Sequence, residues 1–173
     1  MLNEIGLVGL GVMGKNIALN LSEKGVTIKS FNDSKEKLDN IKKEFSNEFI
    51  GYTSLKEFVN SLETPKIILL MVPSGKATKE VIERLADLLE EGSMIIDGGN
   101  SFYLDSIDNG KYLTEKSIDF IGMGVSGGEE GARKGPALMV GSNSSLNTSL
   151  LDTLKKIAAK SEVECLGVYQ GPG

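Results

Sequence analysis

The chain has 173 residues, 40% of them apolar, enough for one ordinary hydrophobic core in a single domain. Its 19 basic and 24 acidic side chains give a formal charge of −5, so it carries no basic footprint for a nucleic-acid backbone or an anionic membrane surface. With no histidine and a single cysteine, Cys165, it cannot build a Ser-His-Asp or Cys-His catalytic group, a Cys/His zinc site or an internal disulfide.

Met1 to Glu4 lacks the basic start and apolar stretch of a secretory signal. The longest aliphatic run, Ile67 to Val72, is far short of the ~20 residues that cross a bilayer. The lone cysteine suits a reducing compartment and is expected to serve packing, so a soluble, cytoplasmic protein is predicted. Glu4 to Val8 reads as a strand and Val12 to Lys24 as a helix whose Val12, Met13, Asn16, Ile17 and Leu21 form one stripe. Val26 to Phe31 is a second strand. Asp33-Ser34-Lys35-Glu36 and Ser54-Leu55-Lys56-Glu57 each place a capping residue three before a glutamate, which predicts helices over Ser34 to Phe45 and Leu55 to Leu62, with a short strand near Phe49 to Tyr52 between them. Lys66 to Val72 has the composition of a fully buried strand, Lys76 to Glu90 of an amphipathic helix, and Ser93 to Asp97 of another strand. Asp105 to Lys116 reads as helix, Ile118 to Met123 as strand, Ala137 to Gly141 as the last strand and Leu146 to Lys160 as the closing helix. Strands alternating with helical patterns predict an α/β fold, a Rossmann-like doubly wound and mostly parallel sheet with helices on both faces, spanning residues 1–173 as one dinucleotide-binding domain.

In such a sheet ligands bind beyond the carboxyl ends of the strands. Many of the 21 glycines fall there, after the first, fourth, fifth and sixth predicted strands, whereas loop punctuation alone would mark both rims. Gly9, Leu10, Gly11, Val12, Met13 and Gly14 fit the dinucleotide fingerprint. Its first glycine permits the tight turn, its second lets the backbone approach a pyrophosphate, and its third lets helix pack on strand. Asp33, in Asn32-Asp33-Ser34, stands where a side chain meets the adenosine ribose. A carboxylate there favours NAD, while Ser34, Lys35 and Lys37 can hold the 2′-phosphate of NADP; alternatively Asp33 is only a helix cap. Val72-Pro73-Ser74-Gly75 falls beside the cofactor's middle or is simply a strand exit. Asp97-Gly98-Gly99-Asn100 and Gly124-Val125-Ser126-Gly127-Gly128 place short polar side chains among residues that admit a ligand. Asn100 can pair with a hydroxyl or carboxamide, and Ser126 with nearby N–H groups can hold a carboxylate, a tight structural turn being the alternative for each. Glu129 to Arg133 reads as a solvated loop, and no general base is identifiable.

Three segments together, Ile5 to Asn16, Ile95 to Ser101 and Gly124 to Pro136, resemble the N-terminal coenzyme domain of the 6-phosphogluconate dehydrogenases, and the resemblance covers essentially the whole chain. It implies oxidation of C3 of 6-phosphogluconate by hydride transfer to NADP, then loss of CO2 to give ribulose 5-phosphate in the pentose phosphate pathway. It implies that Gly9 to Gly14 bind pyrophosphate, Asn32, Asp33 and Ser34 the adenosine end, and Val72, Pro73 and Ser74 the nicotinamide half. Asn100 would touch both cofactor and sugar, Ser126, Gly127 and Gly128 would hold the sugar acid, and no metal is expected. The chain departs from the family at Asp33, where arginine is usual, so NAD is admitted beside NADP. It also departs at Ala137 and Val140, in place of serine and proline. Gln170 to Gly173 resembles the glycine-rich turn that precedes the family's catalytic lysine and glutamate. The expectation is therefore that this chain holds no catalytic residue and lacks the all-helical domain that supplies phosphate contacts and a homodimer interface, leaving the chain itself open to being a monomer. Another β-hydroxyacid dehydrogenase and a stand-alone dinucleotide sensor are the competing readings.

Overall fold

The computed structural model describes residues 1–142 and 146–160 and the backbone of Val168–Gly171; Cys165 and the pair Pro172-Gly173 lie outside the described residues. Strands β1 (Glu4–Val8), β2 (Thr27–Phe31), β3 (Phe49–Tyr52), β4 (Ile67–Leu70), β5 (Met94–Asp97), β6 (Asp119–Ser126), β7 (Ala137–Gly141) and β8 (Val168–Gly171) form one sheet in the order β3-β2-β1-β4-β5-β6-β7-β8. The first six pair in parallel, β7 is antiparallel to β6, and β8 is parallel to β7. The chain winds outward from β1 in one direction and from β4 in the other, so the order reverses between these two central strands, which opens a crevice at their carboxyl ends.

Alternation along each strand divides the core in two. Ile5, Leu7, Ile28, Leu69, Ile96 and Met123 face one side, under helices α1 (Val12–Glu23), α2 (Lys35–Lys42) and α7 (Thr148–Ile157). Val8, Ile68, Leu70 and Ile95 face the other, under α3 (Leu55–Ser61), α4 (Lys76–Ala86) and α5 (Tyr103–Thr114). The central strands are buried on both faces, as their unbroken aliphatic composition requires.

The predicted elements are present, with differences that bear on the site. Helix α2 stops at Lys42 instead of Phe45 because Lys43, Glu44 and Phe45 close i→i+3 turns, and α4 stops at Ala86 instead of Glu90 because Leu88 and Leu89 both turn back onto the Leu85 carbonyl. Helices α5 and α7 run over Tyr103–Thr114 and Thr148–Ile157, inside or shifted from the predicted bounds. Strand β6 runs three residues past Met123, since its pairing with β7 extends to Ser126 opposite Ala137. Residues Gly124 to Ser126 therefore lie in the sheet, and only Gly127 and Gly128 form the turn. β7 is not the last strand: β8 pairs beside it and takes in Gln170 and Gly171, so half of the expected C-terminal turn is strand.

Residues 129 to 133, expected as a solvated loop, belong to a seventh helix, α6 (Gly128–Lys134). Glu129 and Glu130 in its first turn and Arg133 and Lys134 in its last complement the helix dipole. That charge order is the sequence signal that marks it.

Candidate functional site

The loops leaving β1, β2, β4, β5 and β6 lie at one end of the sheet, and those after β4 and β5 are each tied to the end of a neighbouring strand. The Met71 amide donates to the Val8 carbonyl at 2.8 Å, and the Gly98 amide to the Leu70 carbonyl at 2.8 Å. Each loop is thus the outer rung of the ladder beneath it.

The fingerprint glycines divide by what surrounds them. Gly9 adopts φ +103°, and a Cβ there would stand 2.4 Å from the Met71 carbonyl oxygen; at Gly14 it would stand 1.9 Å from the oxygen of Gly9. Both are required by the protein's own packing. Gly11 has φ −72° and ψ −175°, open to any residue, and its Cβ would meet nothing within 4 Å. The protein itself gives no reason for glycine at 11. Gly11 also N-caps α1 without a side chain, and no acid lies in that helix's first turn, so the leading amides of a twelve-residue helix face outward uncapped. Beside them Leu10 is buried, Met13 half-buried and Val12 58% exposed, which removes Val12 from the apolar stripe predicted for it.

At the end of β2, the Asn32 side chain accepts from the Ser34 amide at 2.9 Å, and the Ser34 hydroxyl accepts from the Lys37 amide at 3.2 Å. The cap of α2 is Ser34 and not Asp33, whose exposed carboxylate has no partner among the described residues. A pocket of about 410 Å³ separates this loop from the fingerprint turn and is lined by Gly11, Val12, Lys15, Ser34, Lys37 and Glu44, among others.

After β4, Val72 is half-buried, while Pro73 and Ser74 are exposed. The Pro73 carbonyl accepts from the Thr78 hydroxyl at 3.0 Å, which holds the exit loop on the first turn of α4. Gly75 has φ +83° and faces open space, a position that sequence reading placed in the motif without seeing that it caps α4.

After β5, the expectation that two glycines make room for a ligand is corrected. A Cβ at Gly98 would lie 2.6 Å from the Met71 sulfur, and at Gly99 2.5 Å from the Val72 carbonyl oxygen, so both serve the close approach of this loop to its neighbour. Asp97, 2% exposed, closes the turn by accepting from the Gly99 amide at 2.9 Å and from the Ser101 hydroxyl at 2.6 Å. Asn100, at φ +56°, accepts from the Val125 amide at 2.8 Å and donates to the Val125 carbonyl at 3.1 Å. Its carboxamide thereby ties the β5 loop to β6 and retains one N–H and one lone pair for a ligand.

Ser126 ends β6 with its side chain at the surface; Gly127 at φ +122° and Gly128 at φ +62° then turn the chain into α6. A Cβ at Gly127 would lie 3.0 Å from the Gly131 Cα, whereas Gly128, like Gly11, faces open space. Asn100 also lines a cleft of about 930 Å³ between α5 and the sheet face formed by Phe120, Gly122 and Gly124.

Two polar residues hold these parts in register: Asn16, read from the sequence only as part of the α1 stripe, and Asn20, which the sequence reading did not single out. Asn16 donates to the Val12 carbonyl at 2.9 Å and to Glu129 of α6 at 3.4 Å. Asn20, 2% exposed, donates to the carbonyls of Ala132 and Ile157 at 3.2 and 3.0 Å. Arg133 closes the same face with a two-armed ion pair to Glu23. Its hydrogen bond holds the Glu23 carboxyl below its ordinary value, against a smaller opposing effect of burial. The helix behind the fingerprint and the helix behind the Ser126 turn are thus clamped together. An Asn-x-x-x-Asn spacing on the inner face of α1 was the available signal.

A family model described as the NAD binding domain of 6-phosphogluconate dehydrogenase matches residues 4–168. The decarboxylating 6-phosphogluconate dehydrogenase of Staphylococcus aureus (strain N315) is 48% identical over 175 aligned residues, 99% of this chain and 37% of that protein. The Chlamydia pneumoniae enzyme of the same description is 46% identical over 162 residues, 92% of this chain and 34% of its own length. The chain therefore spans little more than a third of these relatives. Among solved structures, the 6-phosphogluconate dehydrogenase of Plasmodium falciparum, described apo, with its cofactor NADP+ and with its substrate 6-phosphogluconate, superposes with a TM-score of 0.90 at 36% identity, over 98% of this chain and 37% of that one. A 3-hydroxyisobutyrate dehydrogenase from Mycobacterium tuberculosis, at 20% identity and a TM-score of 0.78, covers 98% of this chain and 54% of its own and shares the fold. On the family match and these relatives, the chain belongs to the NAD-binding domain family of 6-phosphogluconate dehydrogenase.

Proposed function

We propose that this chain is the dinucleotide-binding part of a decarboxylating 6-phosphogluconate dehydrogenase, acting in the cytoplasm as part of a homodimer, and that it forms one wall of the sugar-acid site. The observation that carries the reading is Gly11: it is the fingerprint glycine that no protein contact demands, and it stands at an uncapped helix N-terminus. The residues present fit a pyrophosphate there. The amides after Gly11 supply donors, and the absent Cβ leaves the approach clear.

Around that anchor, Asn32, Asp33 and Ser34 would meet the adenosine ribose, and Val72, Pro73 and Ser74 the nicotinamide half. NADP is the dinucleotide that the family resemblance brings, with NAD admitted by Asp33. When bound, it would supply an acceptor for the hydride from C3 of the sugar acid. Asn100, already fixed by Val125, offers its remaining N–H and lone pair to cofactor and sugar. Ser126 with the amides of Gly127 and Gly128 would receive the sugar carboxylate at the surface of the turn.

The step that these residues do not perform is removal of the C3 hydroxyl proton. The chain has no histidine, and neither Asn100 nor Ser126 accepts a proton near neutral pH. Lys76 and Lys134 are exposed and stand beside Glu80 and Glu130 at 3.6 and 3.1 Å, and neither is among the residues that line the cleft with Asn100. The 173-residue chain is therefore expected to bind dinucleotide and to show no turnover of 6-phosphogluconate. Calorimetry with NADP and NAD, and NAD(P)H absorbance with saturating cofactor and sugar, test the two halves. Turnover at ordinary enzymatic rates, with host enzyme excluded, would require a base among these residues.

A further inference from the structure

The fingerprint turn and the Gly127-Gly128 turn each open into a helix, and the two helices are joined near their beginnings. Gly11 leads into α1, and Gly127 leads into α6. Asn16, 6% exposed, divides the N–H bonds of its carboxamide between them. It donates to the carbonyl of Val12, one residue past Gly11, at 2.9 Å and to the carboxylate of Glu129, one residue past Gly128, at 3.4 Å. It stands one helical turn below the amides proposed for the pyrophosphate.

Helix α6 has little hold of its own. Of its seven residues Ala132 alone is buried, and its anchors Asn16, Asn20 and Glu23 lie four and three residues apart along one face of α1. A short helix that buries one small side chain opens at low free energy, so its population follows whatever holds those anchors. The Gly131 amide donates to the Gly127 carbonyl at 2.9 Å and closes α6 over the glycine turn, so opening of the helix releases the turn as well. Of the side-chain ties from α1, the bond from Asn16 to Glu129 is the first along the helix and the longest, which leaves it room to tighten.

We infer that Asn16 and Glu129 are positioning residues that couple the two turns. A diphosphate on the fingerprint turn stiffens the start of α1, orders α6 through this bond, and so presets Gly127 and Gly128 for the sugar acid. The inference rests on the dinucleotide reading of the site. By linkage, a sugar acid held on the second turn favours the dinucleotide in equal measure.

The probe is ADP, which carries the diphosphate and has no nicotinamide to reach the second turn. Its binding to the 173-residue chain is measured by calorimetry, and amide hydrogen exchange is followed by NMR. Saturating ADP should slow exchange at residues 131–134 by at least about fivefold, the low end of coupling between sites, with no comparable change in α5 on the other face of the sheet. Glu129→Ala should bind ADP as the parent does and lose the slowing. Glu129→Gln, which keeps an oxygen to accept from Asn16, should retain it. Asn16→Ala should lose it too, and the double variant should lose no more than either single one. A role in stability alone would change exchange in the free protein and leave the ratio produced by ADP as it was. ADP binding that leaves residues 131–134 unmoved, or that slows them equally in Glu129→Ala, overturns the inference and leaves the dinucleotide site standing. Equal slowing in α5 overturns it as well. No binding of ADP overturns the dinucleotide reading and this inference with it.

Discussion

Two glycine-rich turns stand on the ligand rim, after β1 and after β5, on either side of the loop that leaves β4, and they use glycine for different ends. In the first, Gly9 and Gly14 are packed against backbone while Gly11 between them faces nothing. In the second, Gly98 and Gly99 are both packed, and the group turned toward the site is the neighbouring Asn100, held by Val125. A run of glycines therefore does not by itself mark a ligand contact. What marks it is the glycine that the protein's own atoms leave unexplained.

The largest effect should come from the packed positions. Gly14→Ala places a methyl 1.9 Å from the Gly9 oxygen, backbone that cannot give way without moving the turn, and should cost about 3 kcal/mol or more in urea unfolding. Gly99→Ala, 2.5 Å from the Val72 oxygen, should be destabilising for the same reason. If either is neutral, the division into packed and open glycines is wrong.

Gly11→Asp sharpens the other side. The new Cβ meets no atom within 4 Å, the residue sits at an allowed φ and its carboxylate can cap α1, so the thermal midpoint should stay within a few degrees or rise. A carboxylate in the pyrophosphate's place should weaken dinucleotide binding by roughly 100-fold, read by calorimetry. Unchanged affinity would remove the fingerprint from the site.

Asn100→Ala removes two hydrogen bonds between the β5 loop and β6, for a loss of about 1 to 2 kcal/mol, with the Val125 groups left to find water. Asn100→Asp should retain the acceptance from the Val125 amide and lose the donation to its carbonyl, and so should fall between the two in denaturant midpoint.

The smallest effect lies at the clamp between α1 and α6. Because the folded Glu23 carboxyl is held below its ordinary value of 4.5 by the Arg133 hydrogen bond, its contribution is present above that value and is lost as pH falls through the folded value. Both side chains are partly exposed, so the contribution is screened to under ~1 kcal/mol. Unfolding of Arg133→Met and of the parent should differ near pH 7 and converge in acid.

The sequence determined the outline of this protein. Strand alternation, helix periodicity and capping residues three before a glutamate are local signals, and they located seven of the eight described strands, six of the seven described helices and the rim where ligands would gather. The fingerprint and its distant acid were equally legible, because both depend on residue type at fixed spacing. The tertiary structure decided what those residues do. That Gly98 and Gly99 are packed while Gly11 faces open space is set by Met71 and Val72, which lie far from Gly98 and Gly99 in the chain and crowd them but not Gly11. Helix α6 was obscured because its apolar content is small and its anchors, Asn16, Asn20 and Glu23, belong to another helix. The same holds at the coenzyme's adenosine end. Asp33 and Ser34 are adjacent and either can cap a helix, and only backbone geometry assigns the cap to Ser34 and leaves the acid free for a ligand. Local propensities set the elements; contacts between residues remote in sequence set the space between them, and a ligand is bound by that space.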